Sequence, residues 1–172
     1  MKPIKEVARI VSVWEWEHWR KGVLIDKWQN ENLVTNEGLN YLLSVGFKAG
    51  TQISSWYIVP VDTQTTPAAA MTYASPTYSE SSDYDEAARV LWQGGTVSGQ
   101  QVSNSGNKAT LTFNASTTIY GAALVGGGST PSQKLDVLGG GTMYSFSLFA
   151  TAKPVDDDDV LKVTVTLTQA AS

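Results

Sequence analysis

Val160-Leu161-Lys162-Val163-Thr164-Val165-Thr166-Leu167-Thr168 alternates without a break, with Leu161, Val163, Val165 and Leu167 on one side and Lys162, Thr164, Thr166 and Thr168 on the other. Successive side chains of a strand point to opposite faces, so the stretch predicts one buried and one wet face, as in a sandwich layer. Residues 108–114 repeat the pattern with Ala109, Leu111 and Phe113 inward, and residues 118–125 form the nearly unbroken apolar run of a strand buried on both faces. Residues 143–150, 90–92 and 53–61 read as further strands, the last limited by Pro60, which has no N–H to donate. Only 16% of the residues are charged and fifteen glycines punctuate the chain, a composition that leans toward β structure. About eight strands, one helix and no βαβ rhythm predict a mainly β fold, a jelly-roll-like β-sandwich with one short α-helix near the N-terminus.

The N-terminal part reads as a second unit. Residues 7–19 alternate, with Val11 and Val13 on one parity and Trp14 and Trp16 on the other, which predicts a strand shifted in register by a bulge near Val13-Trp14. Arg20-Lys21-Gly22 forms a turn into residues 23–29, giving an extended hairpin that holds four of the six tryptophans. This reading divides the chain into an arm and Trp-rich hairpin at 1–30 and a β-sandwich domain at 31–172. Leu39, Leu42, Leu43 and Phe47 recur at the spacing of one buried helical stripe, with Thr35 as N-cap, Glu37 in the first turn and Gly46 closing the helix. Residues 84–89 suggest one further helical turn. Residues 62–82 hold two prolines and no period, and a loop of that length usually binds something or folds against a neighbour.

Composition narrows the chemistry. A single domain of 172 residues buries roughly 70% of the surface its unfolded chain exposes, enough for a core without staples. The absence of cysteine excludes disulfides, thiolate zinc sites and cysteine nucleophiles. Apolar runs such as Gly22-Val23-Leu24-Ile25 fall far short of the ~18 residues of a membrane span, so no membrane partner is expected. Met1-Lys2-Pro3-Ile4-Lys5 is basic, but Glu6, Arg9, Glu15 and Glu17 break up the adjoining residues before the apolar core of a signal peptide could form. Twelve basic against sixteen acidic residues, a net charge of −4, leaves no electrostatic footprint for nucleic acid.

The individual constellations read mostly as structure. His18 lies among tryptophans without a nucleophile or metal partner in the local sequence. Asp83, Asp85 and Glu86, with Glu80, hold carboxylates of the kind glycosidases pair, but in an acidic loop that solvent equally explains. Asp156-Asp157-Asp158-Asp159 lacks the alternation of a calcium loop and reads as a solvated hairpin turn. The glycine runs at 126–128 and 139–141 lack the Lys-Ser/Thr ending of a phosphate loop. No catalytic residue, metal or cofactor is expected. Trp14 and Trp16 share a face, Trp19 lies opposite and Trp28 is on the return strand, so not all four fit one core; core packing, protein interface and sugar stacking remain open for them. These four, with Tyr73 and Tyr78 of the long loop, are the candidate partner-interface residues.

Several stretches carry a family likeness: Asn32-Leu33-Val34-Thr35-Asn36-Glu37-Gly38-Leu39-Asn40-Tyr41-Leu42-Leu43, Trp56-Tyr57-Ile58, Tyr84-Asp85-Glu86-Ala87-Ala88-Arg89, and Ser103-Asn104-Ser105 together with residues 112–122. With the closing strand they resemble small virion structural proteins of tailed bacteriophages, over roughly residues 30–168. The resemblance implies a capsid decoration (cement) protein on the exterior of the virion, made in the host cytoplasm. It implies the major capsid protein as non-covalent partner and homo-oligomers on the capsid surface. The N-terminal arm and hairpin, with loop 62–82, are then expected to grip the shell, so that removing residues 1–20 would abolish binding and spare the fold. A carbohydrate-binding or adsorption module, or a tail or neck component, is the alternative.

Overall fold

The alternating stretch becomes β10 (Val160–Ala171), the strand on which the first of two antiparallel sheets is assembled. The computed structural model describes residues 8–171. β1 (Ala8–Arg20) pairs with β10 along its whole length, from Ala8↔Ala171 to Trp19↔Val160. β2 (Val23–Glu31) lies outside β1, while β6 (Gln101–Ser103) and β7 (Ala109–Thr112) share the other side of β10. The second sheet runs β3 (Leu33–Val34), β9 (Thr142–Val155), β8 (Thr117–Gly126), β4 (Trp56–Val61), β5 (Val90–Trp92).

The expected alternation sets the core. Leu161, Val163 and Val165 are fully buried and meet Leu111, Ile58 and Leu124 between the sheets. Each such side chain contributes about 1.5–3 kcal/mol when removed from water. β8 is buried on both faces, as its continuous apolar run requires. A second apolar cluster, Val59, Val61, Val125, Met143 and Phe146, occupies the outer face of the second sheet. Loop 62–82 folds over it: Met71 and Tyr73 are buried there, and the Tyr78 ring stacks on Phe146 with centroids 5.2 Å apart.

The N-terminal hairpin is part of the sandwich, which corrects the division at residue 30. β1 is an interior strand, and Trp14 and Trp16 belong to the main core. Removing residues 1–20 would therefore take out the middle of a sheet; residues 1–7 of the expected arm lie outside the described residues. The turn forms as read, with Lys21 at φ 50° and Gly22 at φ 77°, the left-handed pair of a type I′ turn. The bulge sits later than expected, between His18 and Trp19, where Ile25 is the extra residue on β2. Residues 12–18 alternate undisturbed, because Ser12, Trp14, Trp16 and His18 all face the core.

α1 (Asn36–Phe47) starts at the expected cap: Thr35 Oγ1 accepts from Gly38 N at 3.0 Å. Of the expected stripe, only Leu42 packs against the core. A Cβ at Gly38 would strike the Tyr144 carbonyl, so the helix meets β9 backbone to backbone at this glycine. That contact turns Leu39, Leu43 and Phe47 outward, 39%, 58% and 81% exposed. Gly46 lies within the helix and Lys48 is the C-cap. Residues 84–89 form bends instead of a helical turn, because Tyr84 bridges to Phe113 and Asp85 N donates to Thr112 O at 2.8 Å.

Candidate functional site

The buried charged side chains are engaged with one another. His18 Nε2 lies 2.8 Å from Asp159 Oδ2, and Arg20 donates to Asp159 through Nε at 2.7 Å and Nη2 at 2.6 Å. Asp156 N adds a bond at 2.8 Å. The Arg20 guanidinium, more than burial or the other donors, holds the Asp159 carboxyl well below the usual carboxylate range. This node fastens the β1–β2 hairpin to the β9–β10 turn, where Asp158 takes a left-handed φ of 66°. Asp156, Asp157 and Asp158 are exposed, whereas Asp159 is buried. No group of three or more metal-ligating side chains occurs among the described residues.

A second node holds the irregular segments. Arg89, buried, reaches Glu80 Oε2 at 2.5 Å, Tyr73 Oη at 2.9 Å and the carbonyls of Pro131 and Asp136 at 3.2 and 2.8 Å. Tyr73 Oη donates to Asp136 Oδ2 at 2.8 Å. Burial pushes the Tyr73 hydroxyl up, so it remains a proton donor at neutral pH. Loop 62–82, residue 89 and segment 127–141 are thereby tied together over the outer face of the second sheet. Of the carboxylates read as glycosidase-like, Glu80 belongs to this node, holding Arg89 and Leu135 N, while Glu86 accepts from Thr112 N of β7 at 3.2 Å and Asp85 is exposed.

The candidate interface residues divide. Trp14 and Trp16 are fully buried and stack with centroids 5.9 Å apart; Trp16 stacks in turn on Trp28. Phe149 closes the group edge-on, 4.9 Å from Trp16. Trp28 is half-buried beneath Lys153, whose Nζ lies 4.4 Å from the ring and 2.7 Å from Asp26. Trp19 alone of the four is on the wet face, half-buried beside Lys162. Tyr73 and Tyr78 pack under their own loop. Trp14, Trp16 and Tyr73 thus have no surface to offer a partner.

The apolar surface left outside lies elsewhere. Between α1 and residues 91–102 a groove of about 700 Å³ opens onto the interior of the sandwich. Trp56, Trp92, Tyr41 and Leu42 line its walls, and Leu124 and Leu167 reach its floor from the two sheets. None of the lining residues is Asp, Glu, Lys, Arg or His. Tyr144 also borders it, its hydroxyl pushed up to about 12 by burial and therefore protonated. From α1 the lining takes Tyr41, Leu42, Val45 and Gly46, while the outward stripe of the same helix lies beyond it, and the lining residues Leu91 and Val97 are exposed. At the other end of the molecule Val23, Leu24 and Ile25 are exposed beside the type I′ turn, 62%, 43% and 48%. Sequence reasoning passed over the α1 stripe because its periodicity looked like core; the one signal was Gly46, a helix-weakening residue inside it.

The chain matches no family model, no curated protein and no solved structure.

Proposed function

We propose that the chain is a non-catalytic structural protein of a tailed-bacteriophage virion, a decoration protein that binds the major capsid protein on the shell exterior. The observation that carries this reading is where the apolar surface goes. The buried charged groups are joined to each other, while eight of the ten exposed large apolar side chains among the described residues lie at the groove rim, the α1 stripe and the hairpin tip, the other two being Leu135 and Leu138 of segment 127–141. Exposed apolar clusters of this kind mark association surfaces more often than catalytic pockets, which need convergent groups of tuned acidity. Attachment through these surfaces replaces the tryptophan grip expected from the sequence, since Trp14 and Trp16 are core.

The test is the copy number of this chain per purified virion, by quantitative mass spectrometry against the major capsid protein. A ratio near one, or another simple lattice fraction, is expected; absence from the particle, or a few copies, overturns decoration. The sugar-binding alternative keeps one supporting feature, the half-buried Trp56 and Trp92 in an uncharged groove, since aromatic rings present flat apolar faces with a polar edge.

A further inference from the structure

Between β2 of the first sheet and β3 of the second the chain changes sheets, and beside this crossing the interior of the sandwich turns polar. Trp14 faces Asn30 across the β1–β2 ladder, and Trp16 faces Trp28. From the other sheet Ser145 and Ser147 of β9 pair with the core residues Leu124 and Ala122, and so point inward with them. Hydrogen bonds close part of this seam. Asn30 Nδ2 donates to Ser147 Oγ, Ser147 Oγ to the Glu31 carbonyl at 3.1 Å, and Ser12 Oγ to Asn32 Oδ1. Six further polar atoms of the seam are buried and have no partner among the described residues: Trp14 Nε1, Trp16 Nε1, Trp28 Nε1, Asn30 Oδ1, Asn32 Nδ2 and Ser145 Oγ. The Trp14, Trp16 and Ser145 side chains are fully buried, so bulk solvent does not serve them.

The six atoms do not balance among themselves. An indole N–H donates and never accepts, and an amide Nδ2 does the same, so four of the six can only give a hydrogen bond. Asn30 Oδ1 can only take one, and Ser145 Oγ can do either. A buried polar group left unpaired is destabilising, and native interiors almost always supply a partner. We propose that the seam is a hydration site, in which a small cluster of resident waters joins the N-terminal hairpin to β9. Water accepts two hydrogen bonds, which the indoles and Asn32 Nδ2 require, and donates two, which Asn30 Oδ1 and Ser145 Oγ take up; buried waters commonly make about three. An anion would satisfy the donors but leave Asn30 Oδ1 against a negative charge. None of the seam's own side chains is cationic, and Lys153, which lies over Trp28, is paired with Asp26 at 2.7 Å. An apolar guest would meet none of the six. The waters are part of how the hairpin is attached: β1 is fixed to β10 by a ladder, whereas β2 and β9 share none and meet through side chains and these bridges.

The inference stands apart from the decoration reading, because the hydration of the isolated chain tests it and virion copy number does not. The indole protons report directly. In the full chain labelled with 15N, water-selective NOE and ROE spectra should show cross-peaks of opposite sign from water to the Nε1 protons of Trp14 and Trp16, the signature of water held longer than the tumbling time of the protein. Trp92 is the internal control and should show none, because its Nε1 donates to Val165 O at 3.2 Å. Ser145→Ala removes one of the two groups that accept from the waters and should weaken the cross-peaks while circular dichroism is unchanged. A crystal structure of the wild-type chain gives the same test without a variant: density within about 3.2 Å of an indole Nε1 and of Asn30 Oδ1 or Ser145 Oγ is expected. Tryptophans without long-lived water, or indoles that donate to protein oxygens in the crystal, would overturn the proposal. Anomalous scattering at the seam after a bromide soak would overturn it in favour of an anion, and cross-peaks unchanged in Ser145→Ala would overturn the bridge to β9.

Discussion

The outer face of the second sheet and the mouth of the sandwich are both apolar, yet the chain covers only one of them. Over the outer face it lays loop 62–82 and segment 127–141, and holds them with Arg89, Glu80, Tyr73 and Asp136. At the mouth it places α1 with its stripe outward and no charged side chain in the groove. Irregular backbone has no ladder of its own, so a cover built from loops needs buried polar ties to fix it. An apolar mouth without such ties has nothing of its own chain to hold in place. The Arg89 network therefore accompanies the loop-covered face, whereas the groove at the mouth has no charged side chain in its lining.

Breaking the network should have the largest effect. Arg89→Met strands the Glu80 carboxylate in a buried site and is expected to cost about 3–5 kcal/mol in urea denaturation, with an apolar dye binding the uncovered face. An unchanged midpoint would mean the cover does not depend on this ion pair. Acid should loosen the same cover more gently. Burial pushes the Asp136 carboxyl up, but hydrogen bonds from Tyr73, Thr130 and the Leu138 and Gly139 amides outweigh it and hold the group below its ordinary value. A depressed carboxylate stabilises the fold above its unfolded-state value near about 4 and stops doing so as pH falls through the folded value. Asp136→Asn should therefore be less stable than wild type by about 1 kcal/mol or less at pH 6, with the gap closing in strong acid. A gap constant from pH 6 to pH 2.5 would remove Asp136 from the cover. The smallest effect belongs to the mouth: Phe47→Ser, at a position 81% exposed, should shift stability by no more than about 0.5 kcal/mol in thermal melts. A loss beyond about 2 kcal/mol would show that the stripe packs within the monomer.

The strands were legible because alternation is a local signal that burial simply obeys: β7, β8 and β10 stand where Ala109, Leu124 and Val163 predict them. The start of α1 was legible for the same reason, since Thr35 caps Gly38 three residues away. What escaped depends on distant partners. Periodicity reveals a helical stripe but not which side it faces, and here the backbone contact of Gly38 with Tyr144 decides that. Loop 62–82 has no period because its order comes partly from partners more than 60 residues further along, through Tyr78 on Phe146 and Tyr73 on Asp136. The tryptophans were half legible: Trp14 and Trp16 share a face as expected, but only the pairing of β1 with β10 makes that face the core.

The pairing of β1 with β10 also sets an order of events during synthesis. The partner of Ala8 is Ala171, so the first sheet cannot close until nearly the whole described chain has been made. Until then the Trp14–Trp16–Trp28 stack has no β10 beside it, and the long edge of β1 is open to any extended segment nearby. Contacts this remote in sequence make folding slow, because the loop must close before its contacts reward it. A nascent chain stalled before residue 160 would therefore be captured by chaperones or proteases, and the completed chain released from both.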